Sequence, residues 1–162
     1  MFGSKAKKVR GEAAKEIRHK DLSAPASEVA PEGVDTTQVW LAVIEVSKPE
    51  STISYVSFAN GDTSEYYTKG KGLEGLGDVE AVNEASRAFV EAASARFDMF
   101  DTASDYPLPT AGMVRFYCRK GDETFTVEVL EDIASVGGHP LTALYRKGLD
   151  VIKQVQGVET RR

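Results

Sequence analysis

The stretch that decides the fold is Met113–Leu130, MVRFYCRKGDETFTVEVL. Apolar and polar side chains alternate through both halves, and Gly121-Asp122 supplies a tight turn between them. Folding on that turn sets Val114 opposite Val129, Phe116 opposite Val127 and Cys118 opposite Phe125 on one side. On the other side Arg115 faces Glu128, and Lys120 meets Glu123 beside the turn. Burial pattern, turn chemistry and charge pairing agree on one register, which predicts an antiparallel hairpin with one face in a core.

Upstream, VWLAVIEV (Val39–Val46) is apolar on both parities and rich in β-branched residues, as in a strand buried on both faces. ISYVSFA (Ile53–Ala59) runs into Asn60-Gly61, a strong hairpin signal, and TSEYYT (Thr63–Thr68) returns. A two-residue loop sets Val56 opposite Glu65. A three-residue loop, Asn60-Gly61-Asp62, sets Val56 opposite Tyr66 and keeps one face apolar, so the reading takes the second register. The glycine-rich KGKGLEGLG (Lys69–Gly77) leads to Asp78 as helix N-cap, followed by Val79, Val82, Ser86, Phe89, Ala93 and Phe97 at helical spacing. Pro107 and Pro109 mark residues 98–112 as a loop. After the second hairpin, Pro140 opens another helix with the stripe Leu141, Leu144, Tyr145, Gly148, Val151, Ile152 and Val155, and Gly157 stops it. Gly148 lies on the buried side, which predicts close approach to the sheet.

The resulting order is β-β-β-α-β-β-α. It predicts an α+β fold: an antiparallel sheet of about five strands with two helices on one face, behind a partly helical basic tail. In element order this layout resembles two groups, the secretion-chaperone-like fold and the roadblock/profilin-like scaffolds. The first implies an acidic dimer and the second a small scaffold, and neither transfers a site residue.

The length of 162 residues suits one domain, placed at residues 38–157, with a short C-terminal tail at 158–162. Residues 1–37 read as a basic flexible tail and a Pro/Ala/Ser linker, since 21–37 hold Pro25, Pro31 and Gly33 and few large apolar side chains. Within the tail, Phe2, Ala6, Val9, Ala13 and Ile17 recur at helical spacing, which Gly11 weakens. The net charge of −5 conceals an asymmetry. Residues 1–20 carry seven basic and two acidic side chains, whereas the remainder carries 13 basic and 23 acidic ones. An acidic body repels nucleic acid, so no specific nucleic-acid partner is expected, and the arm becomes the candidate contact for an acidic protein or an anionic surface. One cysteine allows no internal disulfide, and the longest apolar run, Val39–Ile44, is too short for a transmembrane span. The expected location is cytoplasmic.

Candidate chemistry is sparse. Gly70, Gly72 and Gly75 match G-x-G-x-x-G between a strand and a helix, and Lys69 and Lys71 lie beside them, which offers an anion-binding loop for a nucleotide or another small ligand. The motif lacks its βαβ setting. Asp98, Asp101 and Asp105 lack calcium-loop spacing, Cys118 points into the predicted core, and His139 serves as a cap. No catalytic residue, metal site or cofactor is assigned. The most informative feature is the sheet face away from the helices, expected to present Trp40, Tyr55, Tyr67, Arg115 and Tyr117 outward. Exposed Tyr, Trp and Arg suit a partner surface. The sequence therefore predicts a non-enzymatic interaction module, of adaptor, chaperone-like or inhibitor type, binding a protein or a second copy through that face. The alternative is a small-molecule or nucleotide-binding domain built on the 69–78 loop.

Overall fold

The computed structural model of the chain describes residues 6–10 and 12–160. Phe2, Gly11 and the last two residues, on which the sequence reading also drew, lie outside them. The described residues form an α+β fold around one antiparallel sheet. The chain begins with β1 (Lys7–Arg10), α1 (Glu12–Ser23) and α2 (Ala26–Val29). The meander β2 (Val39–Ser47), β3 (Thr52–Phe58), β4 (Thr63–Tyr67) and β5 (Lys71–Glu74) follows and leads to α3 (Glu80–Ala95). A two-residue strand β6 (Asp101–Thr102) precedes β7 (Met113–Lys120) and β8 (Glu123–Leu130), and α4 (Glu131–Val136) and α5 (Thr142–Thr160) close the fold. The eight strands lie in the order β1-β5-β4-β3-β2-β7-β8-β6.

The deciding hairpin has the register its sequence predicts: Val114 pairs with Val129, Phe116 with Val127, Cys118 with Phe125, and Arg115 with Glu128. Residues Val82, Ser86, Phe89 and Ala93 of α3 are buried, as their spacing requires. Helices α3 and α5 cover one sheet face, where Ala42, Ile44, Phe116 and Cys118 meet Phe89, Leu144 and Val151. Gly148 is needed for that contact, because a Cβ there would lie 2.6 Å from Ile44 Cδ1. Two boundaries move. Asp78 lies in a short 3-10 turn ahead of α3, and α5 continues past Gly157 to Thr160.

Three expectations are corrected. The sheet has eight strands rather than about five, since β1, β5 and β6 are short additions at its edges. The hairpin β3–β4 takes neither register considered. Val56 pairs with Ser64 and Tyr55 with Glu65, because the loop tightens one residue earlier, with the Gly61 N–H donating to the Phe58 carbonyl. The third correction concerns residues 6–10 and 12–37, expected to be tail and linker. Strand β1 pairs with β5, and Ala14, Leu22 and Ala26 are buried in a second core with Trp40, Leu41, Val43, Val56, Tyr66 and Tyr117. The sheet is thus covered on both faces, which makes three layers.

Polar anchors explain why a weakly apolar helix stays on that face. Glu45 is fully buried, and Arg18 grips it twice, at 2.6 and 2.9 Å, while Ser54 Oγ donates to it at 2.5 Å. Buried Arg119 donates to the carbonyls of Asp21 and Asp122, and its guanidinium lies 4.9 Å from the Trp40 ring centre. Thr124 Oγ1 donates to the Leu22 carbonyl, and the Ala26 N–H donates to Asp122 Oδ1. The end of α1 is therefore tied to the deciding hairpin by side chains whose partners are main-chain carbonyls, which leave no helical pattern in the sequence.

Candidate functional site

Antiparallel pairing lines up side chains across the sheet. On the face under α3 and α5, one row runs Lys8, Leu73, Glu65, Tyr55, Ile44, Phe116. The neighbouring row runs Arg10, Lys71, Tyr67, Ile53, Val46, Val114. Both rows are apolar from β3 to β7 apart from the Tyr55 hydroxyl, and they become polar toward β1. At that end they frame a cleft of about 310 Å³ together with Glu159, from the last turn of α5. Leu73 and Tyr67 line it as well, with Val9 and Gly72, whose positions alternate to the other face of the sheet. A Cβ at Gly72 would lie 2.9 Å from the Tyr66 ring, so glycine there keeps β5 in contact with β4.

Glu65 is the unusual residue. It is 1% exposed, and neither carboxylate oxygen has a hydrogen-bond partner among the described residues. A carboxylate offers about four acceptor positions, so even the adjacent Tyr55 phenol, itself buried and unpartnered, could not satisfy it. Burial first, and then repulsion from Glu159, pushes the Glu65 carboxyl up to about 7. The same surroundings push the Tyr67 phenol up to about 12. The cleft's cations sit higher. Lys8, Arg10 and Lys71 are exposed and form no ion pair among the described residues, and the Lys71 ammonium lies 4.4 Å from the Tyr67 ring centre. A second cleft of similar size shares the Tyr67–Lys71 wall and adds Lys48 and Lys69.

The residues expected on an outward aromatic face are placed otherwise. Trp40, Tyr55 and Tyr117 are fully buried. Tyr55 and Tyr67 lie on the α3–α5 face, whereas Trp40 and Tyr117 belong to the core under α1. Tyr117 donates to the Pro107 carbonyl, Trp40 Nε1 donates to the Gly121 carbonyl, and half-buried Arg115 pairs with Glu128 at 3.3 Å. These five side chains share no surface. Of them, only Tyr67 lines the cleft.

The glycine motif is also dispersed. Gly70, with φ 99°, turns the β4–β5 hairpin, Gly72 lies inside β5, and Gly75, with φ 72°, opens the 3-10 turn. Helix α3 starts at Glu80, so no glycine of the motif sits at its N-terminus. Lys71 and Gly72 nevertheless line the cleft with Glu65, and Lys69 lines its neighbour. Sequence reasoning missed Glu65, Glu159, Lys8 and Arg10. The one signal was an acid within a strand, and that pattern ordinarily means a solvated position.

Elsewhere the polar groups serve structure. The Cys118 thiol is buried and pushed up to about 12 by that burial, which removes it as a nucleophile. His139 Nδ1 accepts from the Leu141 N–H at the entry to α5. Among the described residues no cluster of three or more metal-ligating side chains occurs, and no helix is long and apolar enough to cross a membrane. No family model, no curated protein and no solved structure matches this chain.

Proposed function

We propose that this protein is a non-enzymatic binding module whose ligand is a small molecule carrying an ammonium group, held at Glu65 in the cleft between β1, β5, β4 and the end of α5. One observation carries the reading: a fully buried glutamate with both carboxylate oxygens unpartnered lies in the lining of a cleft of about 310 Å³. Leaving such a group unsatisfied costs of order several kcal/mol, and a bound cation with N–H donors relieves it. Glu159 beside it argues for a cation over an anion at this depth, since a second carboxylate repels any acidic group that enters. The cleft falls at the small end of ordinary ligand sites, which begin near about 300 Å³. A cytoplasmic location is part of the proposal, and a sequence with one cysteine, which needs no oxidising compartment, is in keeping with it. The protein-partner expectation needs Trp40, Tyr55 and Tyr117 at a surface, and all three are interior.

The test is an amide NMR titration of the full chain with a panel of primary alkylamines. Amides at residues 8–10, 65–67, 71–73 and 159 should shift together, and Glu65→Gln should remove the response while leaving the rest of the spectrum in place. Unchanged spectra across the whole panel would overturn the reading.

A further inference from the structure

The charges of the cleft are layered, and the layering restricts the ligand further. Glu65 and Glu159 form the acidic depth, and Lys71, Lys8 and Arg10 stand toward solvent. Neighbouring strands lie roughly 5 Å apart, so Lys8, two strands across in the row of Glu65, is rooted roughly 10 Å from it, and Lys71, its diagonal neighbour on β5, roughly 8 Å. An α-amino acid carries both charges on one carbon. Seating its ammonium between the glutamates would drag its carboxylate against the same two acids. A ligand whose charges are separated by a short chain meets no such conflict. Its apolar middle would lie along Leu73 and Tyr67, and its acidic end would reach cations that have no ion-pair partner among the described residues.

Resting on the amine reading above, we infer that the ligand is an extended zwitterion of the ω-amino acid type, with its ammonium at Glu65 and Glu159 and its anionic group at Lys71, Lys8 and Arg10. The free pairing capacity of three cations favours this over a simple alkylamine, and buried Glu65 with half-buried Glu159 favours it over a simple carboxylic acid.

Calorimetry on the full chain with δ-aminovalerate, pentylamine, pentanoate and glycine separates the possibilities. The zwitterion should bind about tenfold more tightly than pentylamine, a difference of about 1.4 kcal/mol. The double variant Lys8→Met, Lys71→Met should abolish the advantage of δ-aminovalerate over pentylamine without weakening pentylamine. Both substitutions are at exposed positions, so folding should be kept, and circular dichroism checks it. Pentylamine binding as tightly as δ-aminovalerate would overturn the inference and leave the amine site standing, and so would glycine matching δ-aminovalerate. Binding of pentanoate as tight as the zwitterion, or no binding by any of the four, would overturn both.

Discussion

At the scale of single residues, two buried glutamates receive opposite treatment. Glu45 has a bidentate arginine and a serine, and Glu65 has neither. For Glu45 the pair matters because each partner is expensive without the other. Arg18→Ala should destabilise the protein by about 3 kcal/mol, read from urea denaturation, because it strands a charge in the core. Adding Glu45→Gln to Arg18→Ala should recover most of the loss, which a merely structural role for the arginine stem would not permit. For Glu65 no side chain among the described residues plays the part of Arg18, and this contrast is what motivates the binding role proposed for it. Neither role was legible in the sequence. Both residues are acids within strands, and what separates them is a cation delivered from a helix 27 positions away in the chain.

At the scale of elements, legibility followed the sharpness of alternation. The β7–β8 hairpin alternates cleanly and carries its own charge pair, so its register could be read to the residue. Strand β2 is buried along both faces and offers no alternation by which to orient its neighbours. The parity of β3 and β4 relative to β7 was therefore undetermined, and Tyr55 was placed on the same side as Tyr117 when the sheet separates them. Helix α1 was unreadable for another reason. It buries little apolar surface of its own, Ala14 and Leu22 being its buried apolar residues, and is held by hydrogen bonds to carbonyls. It nevertheless seals the only tryptophan. Removing residues 1–23 should red-shift Trp40 fluorescence and raise binding of a hydrophobic dye, whereas full-length protein should emit at the short wavelength of a buried indole. An unchanged emission spectrum would show that α1 does not cover this core.

For the whole molecule, the contrast of basic arm and acidic body takes on a structural meaning. The arm lies on the body, so part of the charge asymmetry is spent internally in Arg18–Glu45. Among the described residues two acids remain buried without ion pairs, Asp21 on α1 and Glu65 beside the cleft, and each is pushed up to about 7. Burial is the main cause for both, assisted by Glu74 for Asp21 and by Glu159 for Glu65. The folded chain then holds protons that the unfolded chain releases at its ordinary carboxylate range. Their contribution is complete below about pH 4 and is lost as pH rises through about 7. Urea midpoints should fall between about pH 5 and about pH 8, by the equivalent of about 1–3 kcal/mol for each acid, and Glu65→Gln and Asp21→Asn should each flatten the profile. A profile unchanged by both substitutions would exclude these acids as its source. Strand β1 finally ties the two halves of the molecule together. Its four residues divide between the layers, Val9 entering the core beneath α1 while Lys8 and Arg10 border the cleft. A ligand bound in the proposed site and touching Lys8 or Arg10 would hold the same strand that begins the N-terminal cover, so its occupancy and the attachment of that cover would be linked quantities, each changing the other by the same factor.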